Sequence, residues 1–133
     1  MIKHVASFLL LFSLCSVAAD DTLSIDKMVP QTEVFAFAND ANVQPELGDF
    51  EVNNTVLMSN EKGERFAVVT ISNLASGRRT ITEKHLLALL ANGTRIAPEA
   101  FQQPMLGQQT LSLTVAFGEH KFPILQVYSR TRG

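Results

Sequence analysis

The chain has one cysteine, Cys15, and no tryptophan among its 133 residues. Cys15 lies in an N-terminal segment that we predict to be removed, which leaves a mature protein without any thiol. Such a protein cannot form a disulfide, perform thiol redox chemistry, use a cysteine nucleophile or bind zinc through cysteines. The fold must therefore be held together by its hydrophobic core alone.

The first nineteen residues have the pattern of a secretory signal peptide. Lys3 and His4 form a short basic start, an apolar run extends over residues 5–14, and small residues end the segment at Ala19. The run is too short for a membrane anchor, which needs about 20 apolar residues. We expect Asp20 to be the first mature residue of an exported protein that has no stable membrane insertion after cleavage.

Cys15 also suggests an alternative, a lipoprotein in which the cysteine carries the lipid anchor. The three residues before it are Phe12, Ser13 and Leu14. A bulky leucine next to the cysteine does not fit the lipid-attachment motif, so cleavage without lipidation is the favoured interpretation. Small exported domains without disulfides suit a bacterial envelope, which predicts a periplasmic or secreted protein.

Acidic and basic residues are unevenly distributed along the mature chain. Residues 20–64 contain ten acidic side chains and two lysines, whereas residues 65–133 contain eight basic and three acidic side chains. The favoured interpretation is a fold that interleaves the two halves and neutralises them locally; a functional dipole is the alternative. The basic residues are scattered and not interleaved with aromatics, which argues against nucleic-acid binding.

Removing the leader leaves 114 residues, the size of one domain. Residues 20–30 are polar and acidic, and we interpret them as a flexible lead-in that could end as an edge segment. Residues 31–129 then form the folded domain, and residues 130–133 are a basic C-terminal tail, expected to be frayed. The predicted strands cover residues 34–37, 50–58, 66–72, 86–91, 94–96, 111–117 and 122–128.

Most of these strands are indicated by period-two alternation between turn signals. Phe50, Val52, Asn54, Val56 and Met58 are predicted to share one face. Residues 60–63 form a hairpin turn before the next strand, and residues 118–121 turn the cleanest strand, 111–117, back into 122–128.

Residues 83–91 are ambiguous between helix and strand. They are rich in good helix formers and Thr82 could cap a helix. They end, however, at Asn92-Gly93, the typical pair of a type I′ hairpin turn, in which both central residues have φ > 0. Strand is the favoured interpretation. About seven strands without strand-helix alternation predict an all-β, antiparallel, immunoglobulin-like β-sandwich.

The order of features after residue 66 resembles that of exported bacterial domains with a telokin-like immunoglobulin fold. The resemblance covers residues 66–128, and it implies an immunoglobulin-like sandwich of unassigned function. Residues 20–64 lie outside it. The motifs that carry it are the strand 68–73 ending in Asn73, the segment 85–91 with its Asn92-Gly93 turn, the step Leu106-Gly107-Gln108 and the strand 111–117 ending in Phe117.

Catalytic and metal-binding motifs are not apparent in the sequence. His85 and His120 have no metal-ligand spacing, and Met28, Met58 and Met105 are dispersed, although strands could still bring them together. Neither a Gly-x-Ser-x-Gly elbow nor a phosphate-binding glycine loop is present. We therefore expect a protein that is not an enzyme and needs no cofactor.

Arg78 and Arg79 form a charged pair that we expect to be exposed in a loop between apolar strands. A solvated turn is the favoured interpretation, and a contact with a partner's carboxylate or phosphate is the alternative. The leading functional hypothesis is a non-catalytic module that binds another envelope protein through its sheet faces or edges. The alternatives are a small-ligand or metal carrier of the envelope and an enzyme whose polar residues converge only in space.

Signal-peptide cleavage makes a simple prediction about the exported protein. Its intact mass is expected to match a chain that starts at Asp20, because the small residues before Asp20 form the cleavage site. A measured mass that retains Cys15 together with a lipid would contradict both the cleavage site and the thiol-free mature chain.

Overall fold

A computed structural model of the chain describes residues 22–30 and 43–132. Two predictions, the leader at residues 1–19 and the strand at residues 34–37, lie outside these ranges. Within them the protein is all-β, and its helical structure is a single 3-10 turn, Glu83–His85. No helix in these ranges has the length and apolar character that crossing a membrane requires.

Eleven strands form in the described residues. Three of them, β3, β4 and β9, are ten residues long and form the centre and one edge of the largest sheet. The strands are β1 Ser24–Pro30, β2 Leu47–Gly48, β3 Phe50–Ser59, β4 Glu64–Asn73, β5 Arg79–Thr82, β6 Leu87–Leu90, β7 Arg95–Ile96, β8 Gln102–Met105, β9 Thr110–Glu119, β10 Ile124–Tyr128 and β11 Arg130–Thr131.

Two antiparallel sheets enclose one hydrophobic core. The larger has the order β1-β3-β4-β9 and the smaller the order β10-β6-β7. Two-stranded pairs, β5 with β8 and β2 with β11, lie beside them. Fully buried side chains such as Val69 and Ile71 of β4 and Val127 of β10 belong to the same apolar cluster. This arrangement fits a β-sandwich.

A β-bulge in β3 changes which of its side chains face the core. The register shifts between Val52 and Asn54, so the buried positions change from Phe50 and Val52 to Thr55 and Leu57. The strand prediction is confirmed. The prediction that Asn54, Val56 and Met58 share the face of Phe50 is wrong. One extra residue in a strand inverts the alternation of everything that follows.

Two hairpins use the same three-residue turn with glycine at its end. Gly63 and Gly93 have φ values of 83° and 88°, and each donates its N–H to the carbonyl oxygen three residues earlier, on Asn60 and Leu90. Asn92 does not have a positive φ. The prediction of a type I′ turn at Asn92-Gly93 is therefore wrong. The glycine alone takes the left-handed conformation, as in a turn that ends in a glycine bulge.

The strand interpretation of the ambiguous segment is confirmed for residues 87–90. Before them, the 3-10 turn Glu83–His85 begins with a capping box: the Thr82 hydroxyl accepts from Lys84 N–H, and His85 Nδ1 accepts from Thr82 N–H at 3.0 Å. All four residues of β6 are buried, which explains a run that lacks strict alternation.

The predicted hairpin between residues 111–117 and 122–128 does not form. β9 pairs with β4, whereas β10 pairs with β6 in the other sheet. The link between them is held over one end of the sandwich, because Arg65 donates from Nε to the carbonyl of His120 at 3.1 Å and from one terminal nitrogen to that of Lys121 at 3.3 Å. These contacts direct the chain away from the edge of β9.

Both ends of the predicted domain are extended by strands. β1 lies inside the segment predicted to be a flexible lead-in and occupies the edge of the larger sheet beside β3, as the edge-segment alternative predicted. The sheet therefore starts before residue 31. The tail predicted to be frayed forms β11, which pairs with β2. Arg132 continues this attachment by donating from Nε to Asp49 Oδ1 at 3.1 Å. The backbone pairing with β2 and this ion pair hold the tail against the domain.

A buried amide, that of Asn73, joins the end of β4 to two loops. Its Nδ2 donates to the carbonyl oxygens of Gly77 at 3.1 Å and Leu106 at 2.9 Å, and its Oδ1 accepts from Ala75 N–H at 3.0 Å. The residue is 1% exposed. Because both the donors and the acceptor of this buried amide are hydrogen-bonded, it fixes the positions of the Gly77 carbonyl, the Leu106 carbonyl and the Ala75 N–H.

Replacing this amide is expected to destabilise the protein strongly. Asn73→Ala leaves partly buried carbonyl and N–H groups without partners, so the free energy of unfolding should fall by about 2–4 kcal/mol in urea denaturation. Asn54→Ala, at an exposed position on β3, is the matched control and should change it by less than about 0.5 kcal/mol. Equal losses in the two variants would show that the Asn73 hydrogen bonds are not important.

Candidate functional site

The two arginines predicted as a partner contact have different environments. Arg79 Nε donates to Asp49 Oδ2 at 3.2 Å, and a terminal nitrogen of Arg79 donates to the carbonyl oxygen of Arg78 at 2.8 Å. Asp49 also binds Arg132, so one carboxylate joins β5 to the C-terminal strand. The Arg78 side chain is exposed and has no ion pair with a described residue. Partner binding by Arg78 and Arg79 stays a prediction; the Arg79 side chain also bonds to Asp49 within the fold.

The ion pairs between described residues also bear on the uneven charge distribution. Each joins an acidic residue of the first half to an arginine of the second: Asp49 to Arg79 and Arg132, and Asp26 to Arg65 at 4.0 Å. The two halves interleave at these points, as the favoured interpretation predicted.

The two histidines lie at opposite ends of the sandwich. The His85 ring packs edge-on against Phe50, where β3 begins, with ring centroids 4.9 Å apart. His120 lies beside the hairpin that ends β3. Its backbone N–H donates to the carbonyl of Gly63, and its ring Nε2 is 2.8 Å from the carbonyl of Phe117. The structure therefore does not bring the two imidazoles together.

Two of the methionines also have different environments. Met105 is completely buried in the core, whereas Met28 is 69% exposed on β1. Among the residues described, no group of three histidine, cysteine or acidic side chains is close enough to hold a metal ion.

A surface pocket of about 260 Å³ lies on the outer face of the smaller sheet. Leu89 forms part of its floor, and Arg95 Nε donates to the Tyr128 hydroxyl at 2.8 Å at its side. The described lining contains two arginines and no carboxylate, a composition that favours a small anion. The lining residues are Val43, Gln44, Pro45, Leu89, Arg95, Gln126, Tyr128, Ser129 and Arg130.

The most distinctive surface feature is the open edge of β9, at residues 110–114. On one side, the carbonyl of Gln109 accepts from Asn73 N–H of β4; on the other, the carbonyl of Ala116 accepts from Glu99 N–H. The N–H and C=O of one residue point to the same side of an antiparallel strand, and the side alternates from residue to residue. Thr110, Ser112 and Thr114 therefore direct their backbone groups away from β4, and no described strand pairs with them there.

The side chains of this edge also alternate. Thr110, Ser112 and Thr114 are exposed on the outer face of the sheet, whereas Leu111 and Leu113 are half-buried against the core. The outer hydroxyls continue a polar ladder across the sheet, with oxygen–oxygen distances of 2.7 Å. The ladder contains the pairs Thr70–Ser112 and Ser72–Thr110, and Asn53 donates to Ser72 at 2.8 Å.

Other sheet edges in the described residues carry features that discourage strand pairing. β1 has a register shift at Ile25–Lys27, a lysine, and a proline at its end. β7 is two residues long, and β10 follows Pro123 and contains a register shift. Residues 110–117 of β9 contain no charge and no proline, and residues 110–116 pair with β4 without a bulge. Charges, prolines and bulges are the usual protection of an edge.

Sequence reasoning found the strand but not its open edge. The predicted hairpin from residue 117 to residue 122 would have covered the edge of β9 with the next strand. The sequence signal that could have indicated otherwise is Gly118, which has φ 83° and lies opposite Arg65 where the β4–β9 register shifts. A bulge at the end of a strand redirects the chain that follows.

Comparison with known proteins gives no match: no family model fits the chain, and no curated protein or solved structure is significantly similar to it. The resemblance to telokin-like domains therefore stays a prediction.

Proposed function

We propose that this protein is an exported, non-catalytic module that binds an envelope protein by strand pairing at the open edge of β9. The observation that carries the proposal is the combination at residues 110–114 of unpaired backbone groups, uncharged side chains and half-buried leucines. An added strand would satisfy the backbone groups of Thr110, Ser112 and Thr114 and cover Leu111 and Leu113.

The attachment of β9 to β4 and to the core supports this role. Its register with β4 extends from Glu64 to Ser72, and its inner side chains Val115 and Phe117 are buried in the core. The edge is therefore held in the conformation that a partner strand needs, and little conformational entropy would be lost on binding.

An immunoglobulin-like architecture is part of the proposal. The division into a four-stranded and a three-stranded antiparallel sheet supports it, because constant-type immunoglobulin domains have the same division. Export to the periplasm or the medium is supported by the leader sequence and by the absence of thiols after Ala19.

A small-ligand carrier is the second candidate, and the pocket beside Arg95 and Tyr128 is the observation that favours it. Its lining suits a small anion such as phosphate or a carboxylate. Binding of an anion there would not involve β9, so a variant that blocks the edge separates the two functions.

The strand-pairing function can be tested in cells that export the protein, with a photo-crosslinking residue at Thr114 and a control at Asn54. Both positions are exposed, but only Thr114 lies on the open edge. We expect a discrete crosslinked product from Thr114 and none from Asn54. Adding Ser112→Pro should abolish the product, because proline removes the N–H that faces the partner.

Crosslinking that is equal at the two positions, absent at Thr114, or unchanged by Ser112→Pro would contradict the proposal. The proline replaces an N–H that points away from β4, so the β4–β9 ladder is retained. The circular dichroism and melting temperature of the variant check that the domain is folded.

A further inference from the structure

We propose that the open edge of β9 pairs with the same edge of a second copy of this chain. The inference rests on the proposed strand-pairing function and names a partner for that site. Its basis is the sequence of residues 110–114, Thr-Leu-Ser-Leu-Thr, which is identical in both directions around Ser112. An antiparallel partner of the same sequence therefore presents the same side chains in the same order.

The pairing has a two-fold axis at Ser112. Ser112 lies opposite Ser112 of the second copy, Thr110 opposite Thr114, and Leu111 opposite Leu113. Since Thr110, Ser112 and Thr114 direct their N–H and C=O groups to the edge, each of their pairs exchanges two N–H···O bonds. The result is an isologous dimer, the commonest symmetry of homo-oligomers.

The side chains complement each other on both faces of the joined sheet. On the inner face, Leu111 and Leu113 are each half-buried in the single chain and would cover one another across the axis, where Cα atoms are about 4.5 Å apart. On the outer face, Thr110 meets Thr114, a favourable cross-strand pair. No charged side chain lies within residues 110–114, so no like charges are opposed.

The paired segment has the same limits in both copies. In this register Ala116 would lie opposite Gln108, but the carbonyl of Ala116 already accepts from Glu99, and Gln108 has φ 65° in the turn before β9. Pairing therefore stops at the same point for both copies. A contact of this length buries less surface than a stable interface, so the dimer should be in equilibrium with the monomer.

Cysteine substitution measures the register directly in a chain that starts at Asp20, because the introduced residue is then the only cysteine. Oxidation of Ser112→Cys with diamide should give a disulfide-linked dimer, because paired Cα atoms about 5.5 Å apart are within disulfide range. Thr110→Cys alone should not crosslink, because its two copies would lie roughly 14 Å apart. A mixture of Thr110→Cys and Thr114→Cys should crosslink.

Sedimentation equilibrium then tests the dimer without a disulfide. The average mass of the parent protein should rise toward twice the monomer mass with concentration. Ser112→Pro should stay at the monomer mass, with a dissociation constant at least tenfold higher. Ser112→Ala keeps the backbone N–H and should dimerise like the parent, which makes it the matched control.

Equal crosslinking of Ser112→Cys and Thr110→Cys, or a parent that stays monomeric at all concentrations, would overturn the self-pairing. If the purified protein is monomeric while Thr114 still crosslinks to a different polypeptide in cells, the self-pairing fails and the strand-pairing function stands. If crosslinking at Thr114 in cells is also lost, both fail.

Discussion

The position of β9 depends on the buried amide of Asn73. Its side chain holds the loop at Gly77 and the carbonyl of Leu106, and its backbone N–H donates to Gln109 at 2.8 Å, directly before β9 begins. The described residues contain no cysteine, so no disulfide contributes there, and these hydrogen bonds fix the turn from which the strand starts. The register of β9 against β4 follows, and with it the set of backbone groups that face outward.

Arg65 fixes the path that the chain takes after the C-terminal end of β9. Its guanidinium binds the carbonyls of His120 and Lys121 and leads the chain over the end of the sandwich to β10, which completes the smaller sheet beside β6. The same route that closes the core leaves residues 110–114 of β9 without a neighbouring strand on this side among the described strands. An open edge is a liability in most proteins, and here it lacks the usual protection, which is why we assign it a function.

Local features of the sequence predicted most strands and the turn glycines, because alternation and φ > 0 depend on neighbouring residues. Local features could not predict which strands pair with each other, because pairing depends on residues that are distant in the sequence. A hairpin from residue 117 to residue 122 agrees with the alternation and the turn residues around it, although Gly118 indicates otherwise. The pairing of β10 with β6 and the contacts of Arg65 with two distant carbonyls exclude it. The bulge at Asn53 likewise inverts the buried face of β3 without a sequence signal. For the site, Arg78-Arg79 was visible as a charged pair, but the ion pair of Arg79 with Asp49 depends on the fold.

The central claim, that the edge of β9 is open and is the pairing surface, can be measured by residue-resolved amide hydrogen exchange. In dilute protein, the amides of Ser112 and Thr114 should exchange rapidly, whereas those of Leu111 and Leu113, which bond to β4, should be protected. At high concentration or with a partner bound, Ser112 and Thr114 should become protected too. Protection of Ser112 and Thr114 equal to that of the two leucines in dilute protein would contradict the account.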